Sequence, residues 1–280
     1  MAGMYGPSQH VAEDMGLTRT DGPLSPRAPH SVNYAIDGPP HKLLMHPFPR
    51  RVRAEFAGRT ILDTRRGALL HETALLPRLY VPESDLDRDA FVGSDHTTHC
   101  PFKGDATYLS LRVGDRTVEN ALWTYPDPVP AAEWLTGYAC LYWDAADAWF
   151  DEDEQVHAHL TDPYTRVDVR PTSRHVQVFA GDVLVAESHD PMRLDETGLP
   201  PRWYLSPDDV RVPLEPSGTS QRCPYKGRSS YWSIRLADGR EITDAVWGYP
   251  DPLPESSRIA GRLSFDHDDL RTLVDGEPAT

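Results

Sequence analysis

The sequence predicts a mainly β fold, built from two homologous compact antiparallel β domains in tandem and preceded by a proline-rich N-terminal tail. One observation is that the turn motif Cys-Pro-Phe-Lys-Gly, which begins at Cys100, returns as Cys-Pro-Tyr-Lys-Gly at Cys223. Another is that Trp-Thr-Tyr-Pro-Asp-Pro-Val-Pro, from Trp123, returns as Trp-Gly-Tyr-Pro-Asp-Pro-Leu-Pro from Trp247. Each copy also opens with alternating apolar and polar residues. Several motifs repeated in the same order indicate a duplicated domain.

The repeats set the predicted domain limits. Residues 1–50 are interpreted as a flexible tail, because prolines interrupt any helical or strand periodicity of apolar residues and apolar residues are too sparse to form a core. The first β repeat is placed at residues 51–150 and the second at residues 174–270. An acidic and aromatic linker at residues 151–173 separates them, and residues 271–280 are predicted to be a C-terminal tail.

Each repeat is predicted to open with a β-hairpin. Val52, Ala54 and Phe56 alternate with charged residues, which is the period-two pattern of a half-buried strand. The chain then turns at Gly58 into a second apolar strand, and the same pattern recurs around Gly181. The second copy therefore begins with the same hairpin as the first.

The later part of each repeat is predicted to be extended as well. Glu-Thr sequences at Glu72 and Glu196 are each followed by the motif Pro-Arg-x-Tyr. Because prolines disfavour a helix, strands are expected to begin near Arg78 and Arg202. Further strands follow the Cys-Pro-x-Lys-Gly turns, and the Asp-Gly pair ending at Gly239 predicts a type I′ hairpin. The proline-rich motif ends the next strand. A final strand is expected to close a small, barrel-like sheet.

Composition excludes several classes of function. Lys and Arg number 28 against 43 Asp and Glu, which gives a net charge of −15 and repels nucleic-acid backbones and anionic lipid. No apolar run is long enough to span a membrane, and the N-terminus lacks the apolar core of a signal peptide. The cysteines, Cys100, Cys140 and Cys223, are too few for a disulfide framework and favour a reducing cytoplasm. The sequence thus predicts a cytoplasmic protein with no nucleic-acid or membrane partner.

The tandem motifs resemble a bacterial family of domains of unknown function, numbered 427, in its actinobacterial two-domain form. The resemblance runs from about Arg51 to Asp266 and includes Asp162-Pro163-Tyr164 between the repeats. It implies compact, mainly β domains. A nucleotidyltransferase-like label attached to the family implies paired aspartates after a Gly-Ser turn. The close pairs here, Asp85 with Asp87 and Asp151 with Asp153, do not follow such a turn.

Polar residues that recur in both copies are the candidate site. If the strands bring them together, a carboxylate, an ammonium, a thiol, a guanidinium and a phenol would surround one opening and could bind a small, anionic molecule. Catalysis, with the carboxylate as general acid or base or the thiol as nucleophile, would use the same groups. The catalytic candidates are Glu196, Lys226, Cys223, Glu72, Lys103 and Cys100. The ligand-binding candidates are Arg202, Tyr204, Arg78, Tyr80, Trp247 and Trp123.

Each candidate also has a structural interpretation. A Glu-Arg ion pair could tie the hairpin to the next strand, Lys could cap carbonyl groups at the glycine turn, and Cys before Pro is commonly a small buried apolar residue. His96 with His99 and His157 with His159 have spacings that suit a metal, but they are interpreted as solvated pairs. No metal and no cofactor are therefore predicted. The alternative function is a noncatalytic interaction module that binds a protein partner through the N-terminal tail.

Overall fold

A computed structural model describes residues 39–73 and 75–279. The chain divides into two compact units, and the boundary falls between Tyr164 and Thr165. Both units are mainly β and repeat the same arrangement, which confirms the predicted fold class. The predicted tail contact with a protein partner falls for the most part on residues outside the described ranges.

The first unit divides its strands between a seven-stranded and a four-stranded antiparallel sheet. Its strands are β1 Leu43–Pro47, β2 Val52–Phe56, β3 Arg59–Thr64, β4 Ala68–Glu72, β5 Arg78–Pro82, β6 Phe91–Cys100, β7 Gly104–Val113, β8 Arg116–Thr124, β9 Tyr138–Leu141, β10 Ala148–Asp151 and β11 Glu154–Val156. The large sheet has the order β1-β4-β5-β9-β8-β7-β6, and the small sheet has the order β11-β10-β2-β3.

The second unit repeats this plan. Its strands are β12 Val167–Pro171, β13 Val176–Ala180, β14 Val183–Ser188, β15 Met192–Glu196, β16 Arg202–Leu205, β17 Leu214–Pro216, β18 Arg222–Cys223, β19 Gly227–Arg228, β20 Ser230–Arg235, β21 Glu241–Gly248, β22 Leu263–Phe265, β23 Leu270–Val274 and β24 Glu277–Pro278. The large sheet runs β12-β15-β16-β22-β21-β20-β17, the small sheet runs β14-β13-β23-β24, and β18 pairs with β19.

Short 3-10 helices connect the strands. They are Glu83–Asp85, Arg88–Ala90, Pro130–Leu135 and Trp143–Ala145 in the first unit, and Pro207–Asp209 and Pro254–Ile259 in the second. In the described part of the chain, no helix has the length and apolar character needed to cross a membrane.

The two sheets of each unit enclose one core, and a second, smaller core lies on the outer face of the large sheet. In the first unit, Phe56 of the small sheet packs in one cluster with Leu122 of the large sheet. The other cluster contains Tyr80, Trp123 and Leu135, the last of these on the 3-10 helix that follows the proline-rich motif. Both faces of the large sheet are therefore covered, and all five residues of β4 are buried.

The structure corrects the predicted closed, barrel-like sheet. The opening hairpin of each unit does not join the large sheet but pairs with a later strand, β2 with β10 and β13 with β23. Two open sheets result, because the alternating pattern identifies a strand but not its pairing partner.

The predicted domain limits are also corrected at their edges. Residues 43–47 were assigned to the tail, but β1 pairs with β4. The predicted linker contains β11 and β12, which pair with β10 and β15. The predicted C-terminal tail contains most of β23 and all of β24. Apart from β23, which lies between β13 and β24, these are short edge strands with polar residues or prolines, so they lack a strong alternating pattern.

The turn at Gly239 has the predicted left-handed glycine but not the predicted turn type. Gly239 has φ of +90°, whereas a type I′ turn needs positive φ at both central residues, and Asp238 is not among the positive-φ residues. The Leu236 amide donates to the Arg240 carbonyl, which makes the connection longer than two residues. This loop carries the extra residue of the second copy.

Candidate ligand site

Three recurring motifs meet on the outer face of the large sheet in each unit. In the first, the Val129 amide of the proline-rich motif donates to the Lys103 carbonyl at 3.0 Å. Gly104 has φ of +105°, and a Cβ there would lie 3.2 Å from the Asp127 carbonyl oxygen. Such close approach at positive φ favours glycine. The Cys-Pro-x-Lys-Gly turn is therefore held against the proline-rich loop by its backbone.

The second unit has the same contact. The Leu253 amide donates to the Lys226 carbonyl at 3.2 Å. Gly227 has φ of +98°, and its Cβ position lies 3.2 Å from the Asp251 carbonyl oxygen. The recurrence of both motifs thus has a structural cause in both copies.

The glutamates at the end of β4 and β15 pair with the lysines of these turns. Lys103 donates to the Glu72 carboxylate, and the two side chains are 9% and 6% exposed. Lys226 donates to Glu196, where the two side chains are 12% and 10% exposed. His41 Nε2 also lies 3.4 Å from Glu72 Oε2. The structural interpretation of a Glu-Arg pair was therefore wrong in its partner, because the turn brings Lys to Glu.

The candidate tyrosines are buried beside the candidate tryptophans. Trp123 Nε1 donates to the Tyr80 hydroxyl at 3.1 Å. In the second unit, Trp247 packs against the apolar cluster that contains Tyr204. Burial raises the pKa of Tyr80 and of Tyr204 well above the usual range, so both phenols stay neutral. The tyrosine rings are parts of the outer core, and ligand contact would need to come from their neighbours.

The cysteines lie in the same outer cores. Cys100 and Cys223 are half-buried and pack against the apolar clusters that contain Tyr80 and Tyr204. Cys140 is buried, and desolvation raises the pKa of its thiol above the usual range. All three are free thiols. Their packing agrees with the interpretation of cysteine as a small apolar residue.

The candidate arginines have different surroundings in the two units. Arg202 Nη1 lies 2.6 Å from Asp266 Oδ2, and its guanidinium carbon lies 5.7 Å from the centroid of the Trp247 ring. In the first unit, Arg78 is exposed, and no carboxylate of residues 39–73 or 75–279 pairs with it. The position equivalent to Asp266 is held by Tyr142, whose ring centroid lies 4.6 Å from that of Trp123.

A backbone hydrogen bond establishes this equivalence of positions. The Tyr142 amide donates to the carbonyl of Ala121, as the Asp266 amide donates to the carbonyl of Ala245. Burial raises the pKa of Tyr142 to about 12, so this position carries no charge in the first unit. Sequence reasoning missed Asp266, since its counterpart is a tyrosine and the repeat gave no signal there.

Arg202 and Asp266 also border a cleft in the second unit. Its cavity volume is about 190 Å³. Polar groups at the opening come from Arg202 and Asp266, while the walls include Pro200, Trp203 and Phe265. This is smaller than the roughly 300–1,000 Å³ of pockets for drug-sized molecules, so it suits a small ligand.

The aspartates considered for nucleotidyl transfer are engaged elsewhere. Asp85 pairs with Arg66, Asp87 pairs with Arg59, and Asp151 pairs with Arg50. Each of these three carboxylates therefore already has an arginine partner, and the exposed Asp153 lies 3.3 Å from Arg53. These ion pairs agree with the absence of a Gly-Ser turn before the aspartates in the sequence.

The histidine pairs considered in the sequence also have local partners. His99 Nδ1 lies 2.6 Å from Asp105 Oδ1, and the His96 ring packs edge-on against Tyr108. His159 Nδ1 lies 2.8 Å from the Leu160 carbonyl oxygen.

Comparison with known proteins identifies the family of both units. No curated protein matches the chain. The model of a domain of unknown function, DUF427, matches it twice, over residues 44–152 and 168–276. Each match covers the two sheets of one unit except for their last strand, β11 in the first unit and β24 in the second, and together the matches cover most of the chain. The chain therefore belongs to the DUF427 family and carries two copies of its domain in tandem.

Proposed function

We propose that the second unit binds a small molecule with an anionic group, and that Arg202 is the residue that recognises it. The observation that carries the proposal is the position of Arg202 at the opening of the 190 Å³ cleft, paired with Asp266 and next to the face of Trp247. Arginine presents a planar donor fork that matches carboxylate and phosphate oxygens.

Asp266 tunes this recognition. It neutralises Arg202 when the cleft is free of ligand, and an incoming anion must compete with it for the guanidinium. A ligand that also carries a cationic group satisfies Asp266 at the same time, so small zwitterions fit better than simple anions. The aromatic wall of Trp203 and Phe265 supplies apolar contact for the rest of the molecule.

The Glu-Lys pairs have a supporting role in this proposal. Lys226 is bound to Glu196, burial keeps the Tyr204 phenol neutral, and Cys223 packs against the apolar cluster of Tyr204, so the proposal gives none of them a role as base or nucleophile. The proposed function is therefore binding, without an assigned reaction. Glu196 and Lys226 hold the motifs in place beneath the strand that presents Arg202.

The test measures binding of small anions to the full chain and to three variants. Tryptophan fluorescence would report titrations with inorganic phosphate, short carboxylates and amino acids, since Trp203 and Trp247 lie beside Arg202. Arg202→Ala is expected to weaken binding about 10- to 100-fold, which corresponds to the loss of a charged hydrogen bond. Asp266→Asn is expected to strengthen binding of simple anions.

The matched control is Arg78→Ala, at the equivalent position of the first unit, which should leave the affinity unchanged. Binding that survives Arg202→Ala, or none by any of the three probe classes, would overturn the assignment. A loss in Arg78→Ala instead of Arg202→Ala would move the site to the first unit.

A further inference from the structure

The β13–β14 hairpin carries three side chains that can ligate a metal on its outer face. The register pairs Gln177 with Glu187 and Val176 with Ser188, which places His175 across from His189. Val176 and Val178 point into the core, so His175 and Gln177 point outward. β14 is an edge strand of the small sheet. The cluster is therefore open to solvent from the side.

The three side chains are close and already oriented toward one another. The imidazole rings of His175 and His189 are stacked, with centroids 4.2 Å apart and an interplanar angle of 10°. His175 Nε2 lies 2.9 Å from Glu187 Oε1. One ligand atom from each residue lies within 4.8 Å of the other two.

We propose that His175, Glu187 and His189 form a binding site for a divalent transition-metal ion of the Zn²⁺ class. Two imidazoles and one carboxylate are a ligand set that suits Zn²⁺, Ni²⁺ and Cu²⁺, whereas Mg²⁺ prefers oxygen ligands alone. Bonds of about 2.0–2.1 Å place the ligand atoms of a tetrahedral ion about 3.3 Å apart. Side-chain rotations close the remaining distance, and a water completes the coordination.

The residues around the cluster favour a defined geometry. Gln177 Nε2 donates to Glu187 Oε1 at 3.0 Å, and Arg211 lies 3.9 Å from the other carboxylate oxygen. These contacts hold the carboxylate in place beside the two rings, as outer contacts do for ligands in metal sites. The His175 amide donates to Asp275 Oδ1 at 3.0 Å, which fixes the backbone next to the first ligand.

The first unit provides an internal comparison. In the equivalent β2–β3 hairpin the register pairs Arg53 with Asp63, so Arg51, Asp63 and Arg65 occupy the places of His175, Glu187 and His189. Arg51 Nε donates to Asp63 Oδ1 at 2.7 Å. Arginine has no lone pair available for a metal. The site is therefore a property of the second unit alone, which explains why comparison of the repeats did not reveal it.

The test is a Zn²⁺ titration of the untagged, chelator-treated full chain, measured by competition with a fluorescent indicator. We expect His175→Ala and His189→Ala each to lose one Zn²⁺ per chain or to bind it about tenfold or more weakly, since changes around metal ligands already cost about 10- to 100-fold. Excess Mg²⁺ should not displace Zn²⁺.

The control is His99→Ala, because His99 is an exposed histidine beside a carboxylate on another strand. It should leave the titration unchanged. His189 is exposed, so its variant keeps the fold even if the His175 variant does not. Absence of stoichiometric Zn²⁺ binding in the parent protein, or equal binding in the parent and His189→Ala, would overturn the proposal.

Discussion

The Glu72–Lys103 ion pair gives the sharpest prediction of stability. Lys103→Met removes the positive charge from a side chain that is 9% exposed and leaves Glu72, which is 6% exposed, without its main partner. Breaking a buried pair from one side costs about 3–5 kcal/mol.

We therefore expect Lys103→Met to lower the free energy of unfolding of the first unit by about 3 kcal/mol at pH 7. His41 Nε2, at 3.4 Å from Glu72 Oε2, keeps its contact with the carboxylate in the variant.

The assay is hydrogen exchange measured by mass spectrometry across a urea series, since peptides from β4 and β8 report on the first unit separately from the second. Glu72→Met combined with Lys103→Met restores an uncharged pair of similar volume and should return to within about 1 kcal/mol of the parent. A single variant that loses less than about 1 kcal/mol at pH 7 would refute the reasoning.

Two further predictions concern other positions of the first unit. Gly104→Ala should destabilise it by about 1–3 kcal/mol, because the new Cβ would meet a backbone carbonyl at 3.2 Å in a positive-φ conformation. Gly93→Ala, where nothing lies within 4 Å of the new Cβ, should cost far less. Thermal unfolding compares the two variants, and equal losses of stability would contradict the role of the close approach. Burial lowers the pKa of His71, so the folded unit binds fewer protons there than the unfolded chain, and stability should fall as the pH drops below about 6.5. His71→Leu should flatten that part of the stability profile in urea titrations, and an unchanged slope would show that other groups cause it.

The repeats made most of the fold predictable, since they located the opening hairpins and the strands that precede and follow the two motifs. The pairing of the strands was harder to predict from the sequence, because alternation at Val52, Ala54 and Phe56 shows which side of a strand is buried but not which strand lies beside it. The edge strands β1, β12 and β24 were missed for a different reason. Their side chains are mostly half-buried or exposed, so no clear alternation marks them.

The recurring candidates were predictable as neighbours but not in their contacts, and of them only Arg202 lines the cleft of the second unit. Glu72, Lys103, Tyr80 and Trp123 do come together, as their recurrence suggested. The partner of Glu72 depends on how the turn at Gly104 folds back, and a linear motif does not contain that information.

Residues that recur in both units of this chain mainly serve the fold. Residues that recur, such as Glu196 with Lys226, are bound to each other in both copies and join the motifs of the domain. Positions that differ between the units carry the groups on which the two proposals rest. Asp266 pairs with Arg202 in the second unit, whereas the equivalent Tyr142 packs on Trp123 in the first. A His-Glu-His cluster in the second unit occupies the place where Arg51 pairs with Asp63 in the first. Because a duplicated domain keeps what its fold needs, we infer that specific function in the second unit depends on residues that it does not share with the first, such as Asp266, which acts there together with the shared Arg202.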